Sequence, residues 1–190
     1  MRTTTRAALV AALWAVSTSS APATAMADNA CESEMARAAQ LHGIPLGILY
    51  AVGLAETGQG GSLSPYALNI DGKAVYARDK EQALGAFAAA QRSGARMIDV
   101  GCMQINHRYH AQAFASLADM LDPPQNVAYA ARFLQQLKAR EGSWTRAVAR
   151  YHAGPSNDAA QKRYVCRVIA NLVASGFGAW TEQARAFCRQ

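Results

Sequence analysis

Beyond residue 27 the chain has no run approaching about 20 uninterrupted apolar residues, which excludes a membrane-spanning helix there. It has no block of five lysines or arginines and no alternation of basic with aromatic residues, so the footprint of a nucleic-acid binder is missing. No internal repeat recurs and no low-complexity tract divides the chain, which excludes a solenoid or two units joined by a linker. GGSLS at 60–64 lacks the G-x-S-x-G spacing of a serine nucleophile. Of four histidines, His107 and His110 stand at i, i+3 with no convincing third ligand nearby, so no metal is expected.

What is present begins with a leader. MRTTTR carries two arginines and no acid, AALVAALWAV is a ten-residue apolar core, and STSSAPATAMA places Ala25 and Ala27 at signal-peptidase spacing. Residues 1–27 read as a cleaved secretory signal, and residues 28–190 as a soluble, exported chain. Without Arg2 and Arg6, 17 basic residues face 13 acidic ones, a net +4 that favours an anionic polymer. The remaining 163 residues suit one domain with a full core.

Four cysteines in an exported chain point to disulfides, and four allow three connectivities. Cys166 and Cys188 are equidistant from Phe177 in the break GFG, with helical patterns on either side. An antiparallel hairpin turning there brings the two sulfurs level. That leaves Cys31 with Cys102, tying the first helix to the GCMQIN segment.

Most of the chain reads as helix. ESEMARAAQLHG stops at Gly43, and IPLGILYAVGLAETG starts a second helix with Pro45 in its first turn. PYALNIDGKAVYA is a hairpin turning at Asp71-Gly72. DKEQALGAFAAAQRSG is a helix capped by Asp79 and stopped at Gly94, whereas VGCMQINHRYHAQAF is ambiguous. SLADMLDPP is a short helical turn ended by two prolines. PQNVAYAARFLQQLKAREG puts Val127, Ala130, Ala131, Leu134 and Leu137 on one face. SWTRAVARYHAG runs from Ser143 to Gly154, NDAAQKRYVCRVIANLVASG is another helix, and a short one ends near Cys188. The expected fold is one mainly α domain with one small β-hairpin.

One residue stands out against this background. ILYAVGLAETGQG, residues 48–60, is apolar except for a single carboxylate, Glu56. Burying an unpaired carboxylate costs several kcal/mol, so such a group takes a raised pKa and holds its proton. Glu56 follows the stripe of Leu49, Val52 and Gly53 and ends beside the open backbone of GQGG. An acid there is half-buried and still reaches a cleft, which suits general-acid work near neutral pH.

Four blocks now carry a resemblance: AETG at 55–58, DVGCMQIN at 99–106, DPPQNVAYAARFL at 122–134 and AVARYHAG at 147–154. In this order and spacing the chain resembles the soluble lytic transglycosylase (SLT) domain of the lysozyme-like superfamily. It is close to the small exported members associated with type IV secretion, conjugation and other envelope-spanning machines. The resemblance implies an α+β lysozyme-like domain over 28–190, periplasmic and monomeric, with no cofactor. Its partners would be peptidoglycan glycan strands and a secretion, conjugation or pilus apparatus.

The implied reaction breaks the β-1,4 bond between N-acetylmuramic acid and N-acetylglucosamine and leaves a 1,6-anhydromuramyl end. Glu56 would protonate the glycosidic oxygen, then take the proton of the muramyl 6-hydroxyl as it attacks its own anomeric carbon. The 2-acetamido group assists through an oxazolinium-like intermediate, in contrast to the two-carboxylate scheme.

By position in the blocks, Met103 would support a sugar face and Gln104 would bond its acetamido group. Tyr151 matches the tyrosine that reaches toward the catalytic Glu, and Asn126 a structural Asn at the head of the long helix. Thr57 replaces the usual Ser, His152 the Asn of YNAG, and Cys102 the Leu of GLMQ; Thr57 and His152 complete the expected sugar-binding set. Two alternatives stand beside this reading. Asp71 or Asp99 as a second acid would make a hydrolysing muramidase, although Asp71 suits its turn and Asp99 the approach to Val100. A non-catalytic relative would bind the wall for a secretion apparatus with the cleft alone.

Overall fold

The computed structural model describes residues 29–154 and 156–189; the leader expected over 1–27 lies outside the described residues. Short polar side chains set where most helices begin. Asn29 accepts the Cys31 N–H to open α1 (Ala30–His42), and Pro45 stands at the cap of α2 (Leu46–Thr57), one residue outside the turn expected to hold it. Asp79 opens α3 (Lys80–Arg92) by accepting from Gln82. A one-turn α4 (His107–His110) follows the sheet, and Ser116 opens α5 (Leu117–Met120).

The prolines expected to end that last turn instead begin the next helix, α6 (Pro123–Glu141). Proline is tolerated in a first helical turn because its missing N–H has no partner there anyway. Ser143 opens α7 (Trp144–His152), Asn157 opens α8 (Asp158–Ala174), and α9 (Glu182–Arg189) closes the chain.

The sheet is larger than one hairpin. Asp71 and Gly72 take φ of 47° and 89°, the left-handed pair of a two-residue turn, and join β1 (Ala67–Ile70) to β2 (Lys73–Tyr76). Asp71 Oδ1 also accepts the Met97 N–H at 2.9 Å, which fixes the chain as it enters β3 (Ile98–Val100). β3 pairs with the far edge of β1, and β4 (Ile105–Asn106) pairs with β3, all antiparallel, in the order β2-β1-β3-β4. The segment VGCMQIN thus holds the last residue of the three-residue β3, the turn after it and the two-residue β4. Strands so short show no alternation long enough to be read from sequence.

The centre of the core is α2, apolar on every side and packed between α1 and α8. The five residues that helical spacing places on one face of α6 are all buried, where that helix meets α1 and α7. The cysteines pair as expected, Cys31 with Cys102 and Cys166 with Cys188. The first bond spans 71 residues and couples α1 to the turn between β3 and β4. By the chain-entropy account a loop of that length is worth about 4 kcal/mol.

That turn has a second support. Asn126, fully buried at the head of α6, accepts the Met103 N–H at 2.9 Å and donates to Val100 O at 3.0 Å and Met120 O at 2.9 Å. Gly101 passes so close that a Cβ on it would meet Asn126 Nδ2 at 2.5 Å, and its φ of 78° disfavours a side chain in any case. Asn126→Ala leaves the Met103 N–H and the Met120 O buried without this partner and removes a second bond from Val100 O, which is also paired in the β3–β4 ladder. It should lower unfolding free energy by at least about 3 kcal/mol in urea titration, with both disulfides still formed.

Candidate active site

Glu56 lies in the last turn of α2, partly exposed to a cleft of about 410 Å³ between the sheet, α4 and α7. Its Oε1 accepts a 2.5 Å hydrogen bond from the Tyr164 hydroxyl of α8. Arg167, one turn further along α8, donates to Ala55 O at 3.3 Å and brings a positive charge near the carboxyl. Burial pushes the Glu56 pKa from 4.5 up to about 7; the Tyr164 bond opposes the rise, the Asp99 charge adds to it, and Arg167 opposes it. The negative end of the α2 dipole acts in the same direction as burial. A carboxyl that titrates near neutrality gives up and recovers a proton at comparable cost.

Gln104, Tyr151 and His152 share the cleft with Glu56. Gln104 holds a left-handed φ of 45° and donates through Nε2 to Ala67 O and Gly101 O, both at 3.0 Å. Both partners are acceptors, so the amide nitrogen must point at them, and Oε1 is the end left for a donor. His152 stacks on Tyr164 with ring centroids 4.2 Å apart. Its pKa is lowered, by burial first and then by Arg167 and Arg163.

Three sequence expectations need correction. Met103 does not face the cleft; its side chain is fully buried, because the turn from Gly101 to Gln104 points it into the core. Thr57 is buried as well, with its hydroxyl 3.3 Å from both Gly53 O and Cys102 O, so it joins α2 to the turn instead of meeting solvent. Tyr151 does line the cleft within reach of the Glu56 charge, but its hydroxyl donates to Met103 O at 2.7 Å and not to the acid. The tyrosine bonded to Glu56 is Tyr164, which the sequence reading missed. The available signal was a hydroxyl-bearing aromatic on the otherwise apolar buried stripe of α8, since a buried tyrosine hydroxyl needs a partner.

The two aspartates part company. Asp71 stays with its turn, whereas Asp99 lines the cleft. Asp99 is the cross-strand neighbour of Asn69 on one side and Asn106 on the other, and all three line the cleft. Asn106 Nδ2 donates to Asp99 at 2.6 Å, and burial raises the Asp99 pKa against that bond. His107 packs edge-on against Phe87, and His110 Nδ1 lies 2.8 Å from the Tyr129 hydroxyl. Among the described residues no three His, Cys, Asp or Glu side chains are grouped to hold a metal. A larger groove of about 630 Å³ shares no residue with this cleft, and its one carboxylate, Glu32, accepts from Tyr50.

The transglycosylase SLT domain family matches residues 35–172. The chain belongs to that family. Comparison with curated proteins and with solved structures returned no match. The SLT match begins inside α1 and ends inside α8, so it contains Glu56, the β3–β4 turn, Asn126, Tyr151 and Tyr164, while α9 and Cys188 lie beyond it. SLT domains are, as a family, lytic transglycosylases of peptidoglycan.

Two measurements follow from the electrostatics. A rise from 4.5 to about 7 corresponds to roughly 3 kcal/mol at most, and to less for a group that keeps some contact with water. This raised acid favours the fold fully below pH 4.5 and loses that contribution as pH climbs through about 7. Glu56→Gln should therefore melt with the parent at pH 4.5 and above it at pH 8. Tyr164→Phe removes the bond that lowers the Glu56 pKa, so a carbon-13 titration of the Glu56 carboxyl should move to higher pH.

Proposed function

We propose that this protein is a peptidoglycan lytic transglycosylase that cuts the β-1,4 bond after N-acetylmuramic acid and leaves 1,6-anhydromuramyl ends. The observation that carries the reading is one enclosed carboxyl, Glu56, titrating near 7 on the cleft wall and held by Tyr164.

Protonated Glu56 gives its proton to the glycosidic oxygen as the bond from that oxygen to the anomeric carbon breaks. The acetamido oxygen of the same sugar bonds to the anomeric carbon in its place, and the hydroxyl of Tyr164 stabilises the carboxylate left behind. That carboxylate then takes the proton of the 6-hydroxyl, whose oxygen closes on the anomeric carbon and expels the acetamido oxygen. Gln104 Oε1 is suited to accept the acetamido N–H. The 6-hydroxyl is tethered to the reacting ring, which gives it the advantage of an intramolecular nucleophile over water.

Asp99 favours a second reading, a hydrolysing muramidase, because it places another carboxyl in the same cleft. Its hydrogen bond from Asn106 and its place in the Asn69–Asp99–Asn106 row support a positioning role over water activation. The leader read over 1–27 supports export to the periplasm, and the sequence resemblance supports a monomer that opens the wall locally for an envelope-spanning apparatus.

Digestion of purified sacculi should release muropeptides that lack a reducing end and are lighter by one water than hydrolysed ones. Glu56→Gln should lower release by at least about 100-fold, since the amide cannot donate the proton. Asp99→Asn should leave the anhydro ends in place. Reducing ends that dominate in the parent and vanish in Asp99→Asn would replace this mechanism with the muramidase one.

A further inference from the structure

Arg150 stands on the wall of the Glu56 cleft with no part in the steps above. It lies in the last turn of α7, beside Tyr151, and lines both the cleft and an adjoining recess of about 210 Å³. The other walls of the recess are Glu141, Arg146 and Gln161. Gln161 Nε2 donates to Gly154 O at 2.6 Å, and Gly154 lines the cleft, so the recess and the cleft share a border on two sides.

The charge in this recess is unbalanced. Arg150 Nε lies 3.5 Å from Glu141 Oε1, and the same oxygen accepts from Arg140 Nε at 3.0 Å. One carboxylate therefore serves two guanidinium groups, and Arg146 adds a further positive charge. Arg150 Nη1 is buried with no hydrogen-bond partner. Guanidinium is a rigid fork of five donors that matches a carboxylate, and a donor left buried and unpaired is costly.

A glycan strand in the cleft is not a smooth rod. Each muramyl residue carries a lactyl group, and the peptide attached to it must leave the cleft sideways. That peptide carries carboxylates out of the cleft, and the recess borders the cleft at Arg150. We propose that Arg150, assisted by Arg146, binds a carboxylate of the peptide carried on a muramyl lactyl group, so that peptide-bearing strands are preferred over bare ones. The assignment rests on the peptidoglycan reading of the cleft.

The test compares three substrates: intact glycan strands, strands stripped of peptide by an amidase and then amidated at the lactyl carboxylates this exposes, and strands whose peptide carboxylates have been converted to amides. The parent should show a KM about tenfold lower for intact strands than for either other form, the scale of one charge-assisted pair. Arg150→Gln should erase that preference, and Arg150→Lys, which keeps the charge without the fork, should retain part of it. A parent that treats the three substrates alike, or a preference that survives Arg150→Gln, overturns the proposal. If Arg150→Gln fails to fold, Arg146→Gln and Arg150→Lys must each narrow the preference, and no narrowing also overturns it.

Equilibrium binding of the same strands to the Glu56→Gln protein gives a readout that needs no cleavage. Preferential binding with no cleavage by the parent sinks the enzymic reading and leaves the carboxylate site standing. Cleavage without preference does the reverse.

Discussion

The rest of the molecule is organised around a carboxyl group that has to be enclosed yet remain able to titrate. Glu56 ends a helix with no polar face, and ionising it there is opposed by burial and by the helix dipole. The hydrogen bond from Tyr164 and the charge of Arg167 bring it back within reach of neutral pH. Both residues stand on α8, so α8 must lie along α2 in one register. Packing of the two helices sets that register, and the Cys166–Cys188 bond clips α9 onto α8 next to Arg167.

The facing wall solves a different problem. Strands as short as β3 and β4 have little stability of their own. The turn between them is therefore secured from four directions, one of them the Thr57 hydroxyl of α2 on Cys102 O. Asn126 bonds its backbone from α6, Cys102 is tied to α1, and Tyr151 reaches in from α7 to Met103 O. The result presents Gln104 and Asp99 to the cleft from a piece of chain that could not hold its shape alone.

How much of this was legible depended on range. Patterns confined to one element or to two consecutive ones could be read: the buried face of α6, the Asp71-Gly72 turn, the lone Glu56 and the cysteine pairing around Phe177. Features set by how elements meet could not. Met103 sits in a block that suggested a sugar contact, yet the course of its turn sends the side chain inward. Tyr151 and Tyr164 are both aromatics on helices near the cleft, and only the crossing of α8 over α2 decides which hydroxyl meets the acid. Asp99 looked like a lead-in to Val100 because a three-residue strand does not announce which side of it faces the cleft.

The separation of Glu56 from Tyr164 has a consequence for how the chain comes into being. A polypeptide emerges from its N-terminus, and 108 residues must follow the acid before the hydroxyl that steadies it exists. The clamp between Cys31 and Cys102 can close earlier, once α1 and the turn have both emerged. A half-made chain can thus own its acid, its sheet and one disulfide and still lack the poised proton. The surroundings that set the Glu56 pKa are complete only with the C-terminal third of the chain.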